Sequence, residues 1–200
     1  MPGEFTLAFA PYGRDLEAQG LRARRDGHEV MLQIPMEPFD YPDNDPGPHT
    51  LRAGAAPKDN IERMHWLLSR FSGYVGVMNF MGGKVMANGA AFQPVLEEMQ
   101  RRGLLFLDDG NSRRSMTTDL SRKIGLPALK ADRIVEGSTT PASLLALLGE
   151  AESIAIKSGR AIIAVPALPS NIEALTTWEA DLAQRGLVVA PLSALIGAKG

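Results

Sequence analysis

The chain has 200 residues, 44% of them hydrophobic, and a formal net charge of −2. This length predicts one domain, residues 1–200, with a sizeable buried core. The balanced charge and the lack of a basic tail argue against nucleic acid as a partner, because phosphate binding needs a concentrated Lys and Arg surface. The absence of cysteine excludes disulfides, thiolate catalysis and cysteine-ligated metals.

Targeting and membrane signals are also missing from this sequence. No apolar run reaches the roughly 18 residues that a membrane-spanning helix needs. The first residues, Met1-Pro2-Gly3-Glu4, lack the basic region of a signal peptide and lead directly into a predicted strand.

Strand and helix patterns alternate along the whole chain. Apolar, strand-like runs lie at residues 5–10, 28–34, 74–78, 104–107, 129–135, 161–165 and 187–192. Helical patterns separate them at residues 14–26, 59–71, 92–102, 116–124, 140–158 and 170–185. Pro35 is expected to end the second strand, because proline cannot donate to a central ladder. The alternation predicts an α/β fold of about seven parallel strands with helices outside, either open or rolled into a barrel.

Polar residues follow several of these strands where the strands end. Asp108 and Asp109 come after the run 104–107, Asn79 follows 74–78, and Glu37 follows the second strand. The carboxyl ends of parallel strands meet at one edge of the sheet, where α/β proteins place their sites. We therefore predict Asp108, Asp109 and Glu37 as catalytic candidates and Asn79 as a substrate-binding residue.

Each of these residues has a structural alternative. One aspartate could orient or ligate while its neighbour titrates, or one could cap the next helix while the other faces solvent. Glu37, held between two prolines, suits a positioned base, or it could form a buried ion pair with an arginine. Asn79 could donate to a substrate or could satisfy nearby backbone groups in a turn. Ser115 lacks the G-x-S-x-G context of a hydrolase nucleophile and is assigned to substrate binding.

The longest irregular segment, residues 35–57, contains six prolines and two glycines. A loop of this length in a small domain is usually functional or disordered, and the aromatic residues Phe39 and Tyr41 favour a packed functional loop. Phe39 and Tyr41, together with Phe80 after the third strand, are predicted to contact substrate. His49 is the one histidine of three that could reach the site from this loop, although a packing role suits it better. No two histidines have metal-ligand spacing, so no metal ligand is assigned.

Several stretches resemble a known family, the divergent polysaccharide deacetylases of the bacterial envelope. The matching stretches are Gly27–Pro38, Asn44–Leu51, Gly76–Gly82, Arg102–Asp109 and Arg185–Ser193. The resemblance implies a distorted (β/α) barrel of the carbohydrate-deacetylase type, a carbohydrate ligand, and a location in the cell envelope or periplasm. It also makes a divalent metal such as zinc conceivable, although histidine ligands do not support one.

Three departures from that family pattern bear on function. Many relatives carry histidine where this chain has Phe80, and a His-Pro pair where it has Val165-Pro166. Phenylalanine and valine can neither ligate zinc nor transfer protons, so the catalytic histidines are expected to be lost. Relatives also begin with an additional strand and helix, so we expect this chain to miss that first unit and to leave a sheet edge unpaired.

Three functions remain open at this point. The first is a hydrolase that removes acyl groups from an envelope glycan, using the three predicted carboxylates, Asn79 and a metal held mostly by oxygen ligands. The second is a non-catalytic glycan-binding module in which Phe39, Tyr41 and Phe80 stack on sugar rings. The third is an envelope scaffold that binds protein through the proline-rich loop. The missing histidines favour the second function.

Overall fold

A computed structural model describes residues 1–135, 137 and 139–197 of the chain. Its strands form two parallel sheets. The first sheet contains β1 (Leu7–Phe9), β2 (Val30–Met36), β3 (Gly76–Met81), β4 (Leu105–Asp108) and β5 (Ala128–Lys130) in chain order, and the second pairs β6 (Arg133–Ile134) with β7 (Ile163–Ala164). Each strand of the first sheet therefore lies beside the next strand along the chain, as in a barrel that is wound in one direction.

The helices lie in the connections between the strands and after the last strand. They are α1 (Leu16–Arg25), α2 (Pro57–Leu68), α3 (Gly83–Met86), α4 (Gly89–Arg101), α5 (Thr117–Ile124), α6 (Pro141–Ser158) and α7 (Pro169–Ala180), with 3₁₀ turns at Leu182–Arg185 and Leu192–Leu195. Thr140 caps α6, since its hydroxyl accepts a hydrogen bond from the Ser143 N–H at 3.2 Å. α2 and α7 begin at Pro57 and Pro169, slightly before the predicted helix starts at residues 59 and 170, because these prolines occupy the first helical turn.

The segment predicted as the last strand, residues 187–192, is not a strand. It reaches the start of β1 and β2 through side chains instead: the Leu192 N–H donates to the Thr6 hydroxyl at 3.0 Å, and the Ser193 N–H donates to Glu29 Oε1 at 3.1 Å. Within the described residues no ladder pairs β1 with β7. The predicted parallel α/β architecture is confirmed, whereas closure into a complete barrel is not.

Pro35 lies inside β2 and does not end it. The Pro35 carbonyl accepts a hydrogen bond from the Leu51 N–H at 2.9 Å, and the Glu37 N–H donates to the Leu51 carbonyl at 2.8 Å. Beyond β1, this side of β2 forms an isolated bridge with the loop residue Leu51 and no continuous ladder among the described residues, so no N–H from Pro35 is needed there. The prediction that Pro35 ends the strand was wrong for this reason.

Both faces of the first sheet are buried in apolar side chains. Leu32, Val77 and Phe106 point to the helices, in a core that also contains Phe92 of α4. Met78 and the other alternate residues point to the opposite, inner face, and this second set comprises Met31, Met78, Leu105, Leu107, Leu129, Ala131, Ile162 and Leu192. Because side chains alternate between faces along a strand, the same alternation decides which face each residue at the strand ends occupies.

β3 and β4 approach each other closely at Gly76. A Cβ atom at this position would lie 2.5 Å from the Leu105 carbonyl oxygen, and side-chain atoms of Leu105 would lie equally close. No side chain fits there unless the two strands separate.

We expect Gly76→Ala to lower the free energy of unfolding by about 1–3 kcal/mol, because the added methyl group overpacks the β3–β4 contact. Urea denaturation measures this change. Gly149→Ala is the matched control, since its Cβ, in the middle of α6, would meet no heavy atom within 4 Å beyond the neighbouring backbone of its own helix. This control should raise the free energy of unfolding by roughly 0.5–1 kcal/mol. A Gly76→Ala variant as stable as the wild type would contradict the close approach.

Candidate functional site

The side chain of Asn79 joins the ends of β3 and β4. The paired register of these strands stops at Met78 and Leu107. One residue further on, Asn79 Oδ1 accepts a hydrogen bond from the Asp109 N–H at 2.8 Å, and Asn79 Nδ2 donates to the Met81 carbonyl at 2.7 Å. The side chain is buried and both of its polar atoms bind backbone, as in the structural alternative described above.

Asp108 holds the loop between β4 and α5. It is fully buried, and its Oδ1 accepts a hydrogen bond from the Gly110 N–H at 2.8 Å while its Oδ2 accepts one from the Ser115 hydroxyl at 2.5 Å. Ser115 in turn accepts a hydrogen bond from the Thr117 N–H at 3.2 Å. Asp108, Ser115 and Thr117 therefore form one network at the start of α5, on the helix side of the sheet. The sequence prediction did not include Thr117, although Ser and Thr two residues apart before a helix are a common capping signal.

Asp109 points the other way, into an open cavity on the inner face of the sheet that we call the groove. The groove has a volume of about 1870 Å³, and its lining includes Gln33, Phe39, Asn79, Phe80 and Asp109. Asp109 Oδ1 accepts a hydrogen bond from the Asn111 N–H at 3.0 Å. The structure therefore brings four predicted residues, Asn79, Phe80, Phe39 and Asp109, to one cavity.

Two aromatic rings stand exposed beside this groove. Phe39 is 56% exposed and Phe80 is 41% exposed. The Arg114 guanidinium lies over the Phe39 ring, with its carbon 5.6 Å from the ring centroid. The sequence prediction missed Arg114 and its neighbours in the loop after β4, although the polar run Asn111–Arg114 directly after a predicted site strand was a usable signal.

Phe80 and Val165, the two positions at which the family resemblance implies histidines, both line the groove. The three histidines lie elsewhere: His28 Nδ1 is 2.9 Å from the Phe5 carbonyl oxygen, His49 stacks on Trp66 with ring centroids 3.8 Å apart, and His65 Nε2 is 2.6 Å from Glu98 Oε1. No cluster of three His, Asp or Glu side chains suited to a metal occurs in the part of the chain that the structure describes. The groove's side chains thus do not fit a zinc site built on histidines.

Glu37 and Tyr41 lie in a second cavity that we call the cleft. It has a volume of about 640 Å³ and is lined by Glu37, Tyr41, Arg52, Ala53, Gly54, Ala55, Asp59, Arg63, Lys84 and Asn88. Glu37 is buried; its Oε1 accepts a hydrogen bond from Lys84 Nζ at 2.7 Å and its Oε2 accepts one from the Ala53 N–H at 2.8 Å. The ion-pair alternative for Glu37 is therefore present, with a lysine as partner where an arginine was expected.

The surroundings of Glu37 favour its charged form. Burial alone would raise the pKa of this carboxyl, but the Lys84 ammonium and the Ala53 N–H outweigh burial and hold its pKa below the ordinary value, with a smaller contribution from Arg52. Glu37 and Asp109 line different cavities, so the predicted catalytic carboxylates do not converge on one place.

A family model for divergent polysaccharide deacetylases matches residues 1–196. The chain belongs to this family. The resemblance found in the sequence is thereby confirmed, and it extends over nearly the whole chain.

Relatives of known sequence or structure agree with this membership. The crystal structure of the uncharacterized protein ATU2773 from Agrobacterium tumefaciens C58 matches 98% of this chain and 80% of that chain, with a TM-score of 0.94 and 42% identity. The uncharacterized protein YibQ of Escherichia coli is 24% identical over 88% of this chain, and an uncharacterized protein of Haemophilus influenzae is 23% identical over 88%. The chain spans 54% and 62% of the length of these two curated relatives. Among the described helices of this family member, none is long and apolar enough to cross a bilayer.

We expect Asp108→Ala to lower the free energy of unfolding by about 1–3 kcal/mol, because it leaves the half-buried Gly110 N–H and Ser115 hydroxyl without their acceptor. Thermal and urea unfolding measure the change. Asp43→Ala, an exposed aspartate of the long loop, is the control and should change stability by less than about 0.5 kcal/mol. An Asp108→Ala variant with wild-type stability would show that this network does not hold the loop.

The Glu37–Lys84 pair predicts a defined dependence of stability on pH. The pKa of Glu37 is lower in the folded than in the unfolded protein, so its contribution is complete above the ordinary value of 4.5 and is lost as the pH falls through the lower folded value. The difference in unfolding free energy between the wild type and Glu37→Gln should be constant above about pH 6 and should shrink below pH 4.5. Denaturant titrations across this range measure it, and a difference that grows at low pH would contradict the assignment.

Proposed function

We propose that this chain is a glycan-binding domain of the bacterial cell envelope or periplasm that holds a sugar chain in the groove without hydrolysing it. Membership of a polysaccharide deacetylase family supports a carbohydrate ligand. The envelope location rests on the resemblance to a group of envelope proteins. The groove is the part of the molecule to which we assign binding.

The observation that carries this proposal is the pair of exposed phenylalanines beside the groove. An exposed aromatic ring leaves apolar surface in contact with water, which is unfavourable. The C–H face of a pyranose ring can cover that surface by stacking on the ring. Phe39 and Phe80 present such rings at the same cavity, and the Arg114 guanidinium lies over the Phe39 ring. Gln33 and Asp109 line the same groove and supply donors and acceptors for sugar hydroxyls.

The arrangement of the carboxylates supports binding over hydrolysis. Deacetylation needs a base to activate water and an acid to protonate the leaving group, both within reach of one substrate carbonyl. Asp108 is committed to Gly110 and Ser115, and Glu37 is committed to Lys84 and Ala53. Neither is placed to share a substrate atom with Asp109.

Hydrolysis of an acyl group from the glycan is the second candidate function. The position of Asp109 in the groove favours it, because this carboxylate faces the cavity in which a glycan would lie. Asp109 would then be the base, and its neighbour Asn79 would act as a positioning residue through its hydrogen bond to the Asp109 N–H.

We expect an N-acetylglucosamine tetramer to bind the wild-type protein and Phe80→Ala to weaken that binding about tenfold, through the loss of ring stacking worth roughly 1.4 kcal/mol. Calorimetric titration measures both affinities. Ile156→Ala, an apolar residue that is 69% exposed on α6 and does not line the groove, is the matched control and should bind as the wild type does.

The same samples separate the two candidate functions by assaying acetate release from the tetramer. Binding without acetate supports the proposal. Acetate release that disappears in Asp109→Asn would establish hydrolysis instead. The groove would be rejected as a site for these sugars if neither the tetramer nor its deacetylated form bound, and if Phe80→Ala and the wild type gave the same titrations.

A further inference from the structure

The cleft lies apart from the groove and collects basic side chains from three separate segments. Arg52 comes from the long loop, Arg63 from α2 and Lys84 from α3, and all three line the same 640 Å³ cavity. Glu37 and Asp59 are the carboxylates in that lining. The three cations therefore outnumber the two carboxylates in a confined space.

These charges are not equally available to a ligand. Glu37 and Lys84 neutralise each other through a 2.7 Å ion pair. Arg52 and Arg63 form no ion pair with any carboxylate of the described residues; Arg63 Nη1 donates to the Thr50 carbonyl at 2.9 Å, and Arg52 Nη2 donates to the Tyr41 hydroxyl at 2.5 Å. Since a guanidinium has five N–H donors, each arginine retains donors beyond these contacts.

Arg52 is held in place more firmly than an ordinary surface arginine. The fully buried Asn60 clamps its backbone, accepting from the Arg52 N–H at 2.9 Å and donating to the Arg52 carbonyl at 2.8 Å. At the other end of the residue, the guanidinium carbon lies 5.0 Å from the centroid of the Tyr41 ring. Fixing a long side chain costs conformational entropy. A guanidinium that is already held in place loses less conformational entropy when it binds an anion.

The cleft also has room for a small group. Its lining includes the short residues Ala53, Gly54 and Ala55, and a Cβ built on Gly54 would meet no heavy atom within 4 Å. Open space beside two guanidiniums that form no ion pair with a carboxylate of the described residues matches the requirements of a carboxylate or phosphate group, which arginine binds through paired hydrogen bonds.

We propose that the cleft binds a small oxyanion, a carboxylate or a phosphate group, through Arg52 and Arg63. Tyr41 and Asn60 are the positioning residues that hold Arg52, and the Glu37–Lys84 pair forms the wall beside the bound group. This site is separate from the groove and does not depend on the function proposed for the groove.

The test is a titration of the isotopically labelled protein, followed by the backbone amide signals in NMR spectra. The probes are inorganic phosphate, D-glucuronate and, as the neutral comparison, D-glucose. We expect phosphate or glucuronate, but not glucose, to shift the amide signals of Ala53 and Gly54. Shifts by phosphate alone identify a phosphate group as the ligand chemistry, and shifts by glucuronate identify the carboxylate of an acidic sugar.

Variants decide whether the arginines carry this binding. Arg52→Gln and Arg63→Gln should each weaken it about tenfold. Arg122→Gln, an exposed arginine on α5, is the matched control and should leave it unchanged. Asp59→Asn should tighten binding severalfold, because it removes from the cleft a negative charge that repels the anion. Such a gain in affinity cannot arise from misfolding.

Three results would overturn the proposal. The first is the absence of shifts with both anions. The second is an affinity for the anion that is the same in Arg52→Gln, Arg63→Gln and the wild type. The third is a set of shifts confined to Arg113 and Arg114 in the groove, which would mean that the anion binds there. Phe80→Ala should leave the cleft shifts intact, so a failure of the glycan proposal and a failure of this one are distinguishable.

Discussion

The amide of Asn79 is the contact on which the arrangement of the groove depends. The β3–β4 ladder ends one residue before it, and two strands that are no longer paired would separate at their carboxyl ends. Asn79 replaces the next rung of that ladder by accepting a hydrogen bond from the Asp109 N–H while donating to the Met81 carbonyl. Because the amide is buried, water does not compete for these bonds, and the backbone of Asp109 is fixed at the rim of the groove.

Fixing that backbone also gives the two aspartates opposite roles. Neighbouring side chains of an extended chain point to opposite faces, so Asp108 enters the helix layer and Asp109 enters the groove. Asp108 then holds the Gly110 N–H and the Ser115 hydroxyl, which shapes the loop that carries Arg114 to the ring of Phe39. Of this acidic pair, Asp108 thus supports the loop and Asp109 supplies a polar group in the groove. Asp109 is therefore the one that can contact a ligand there.

The sequence could place these residues at one edge of the sheet, but it could not assign their faces. Buried parallel strands are apolar on both sides, so the alternation that would distinguish Asp108 from Asp109 is hidden in an uninterrupted run such as 104–107. The partner of Glu37 was missed for a different reason, since Lys84 is 47 residues away along the chain and no local pattern links the two. The strand predicted at 187–192 failed because an apolar run does not by itself imply a ladder: Leu192 is the one buried residue of this run, Val188 is 79% exposed, and the N–H groups of Leu192 and Ser193 donate to the side chains of Thr6 and Glu29.

The wall between the two cavities is built from a few consecutive residues. Glu37 lines the cleft, whereas Phe39 lines the groove. At the start of α3, which follows β3, Gly83 lies close to the Phe39 ring and Lys84 points to Glu37. Gly82 permits this reversal: its φ is 95°, and a Cβ there would lie 2.7 Å from the Cβ of Met36. Backbone hydrogen bonds from Lys84 and Val85 to the Glu37 carbonyl, at 3.2 Å and 3.4 Å, tie the two segments together. A wall held by these contacts keeps Phe39 in position at the groove whether or not the cleft is filled, so the two cavities are expected to bind their ligands independently.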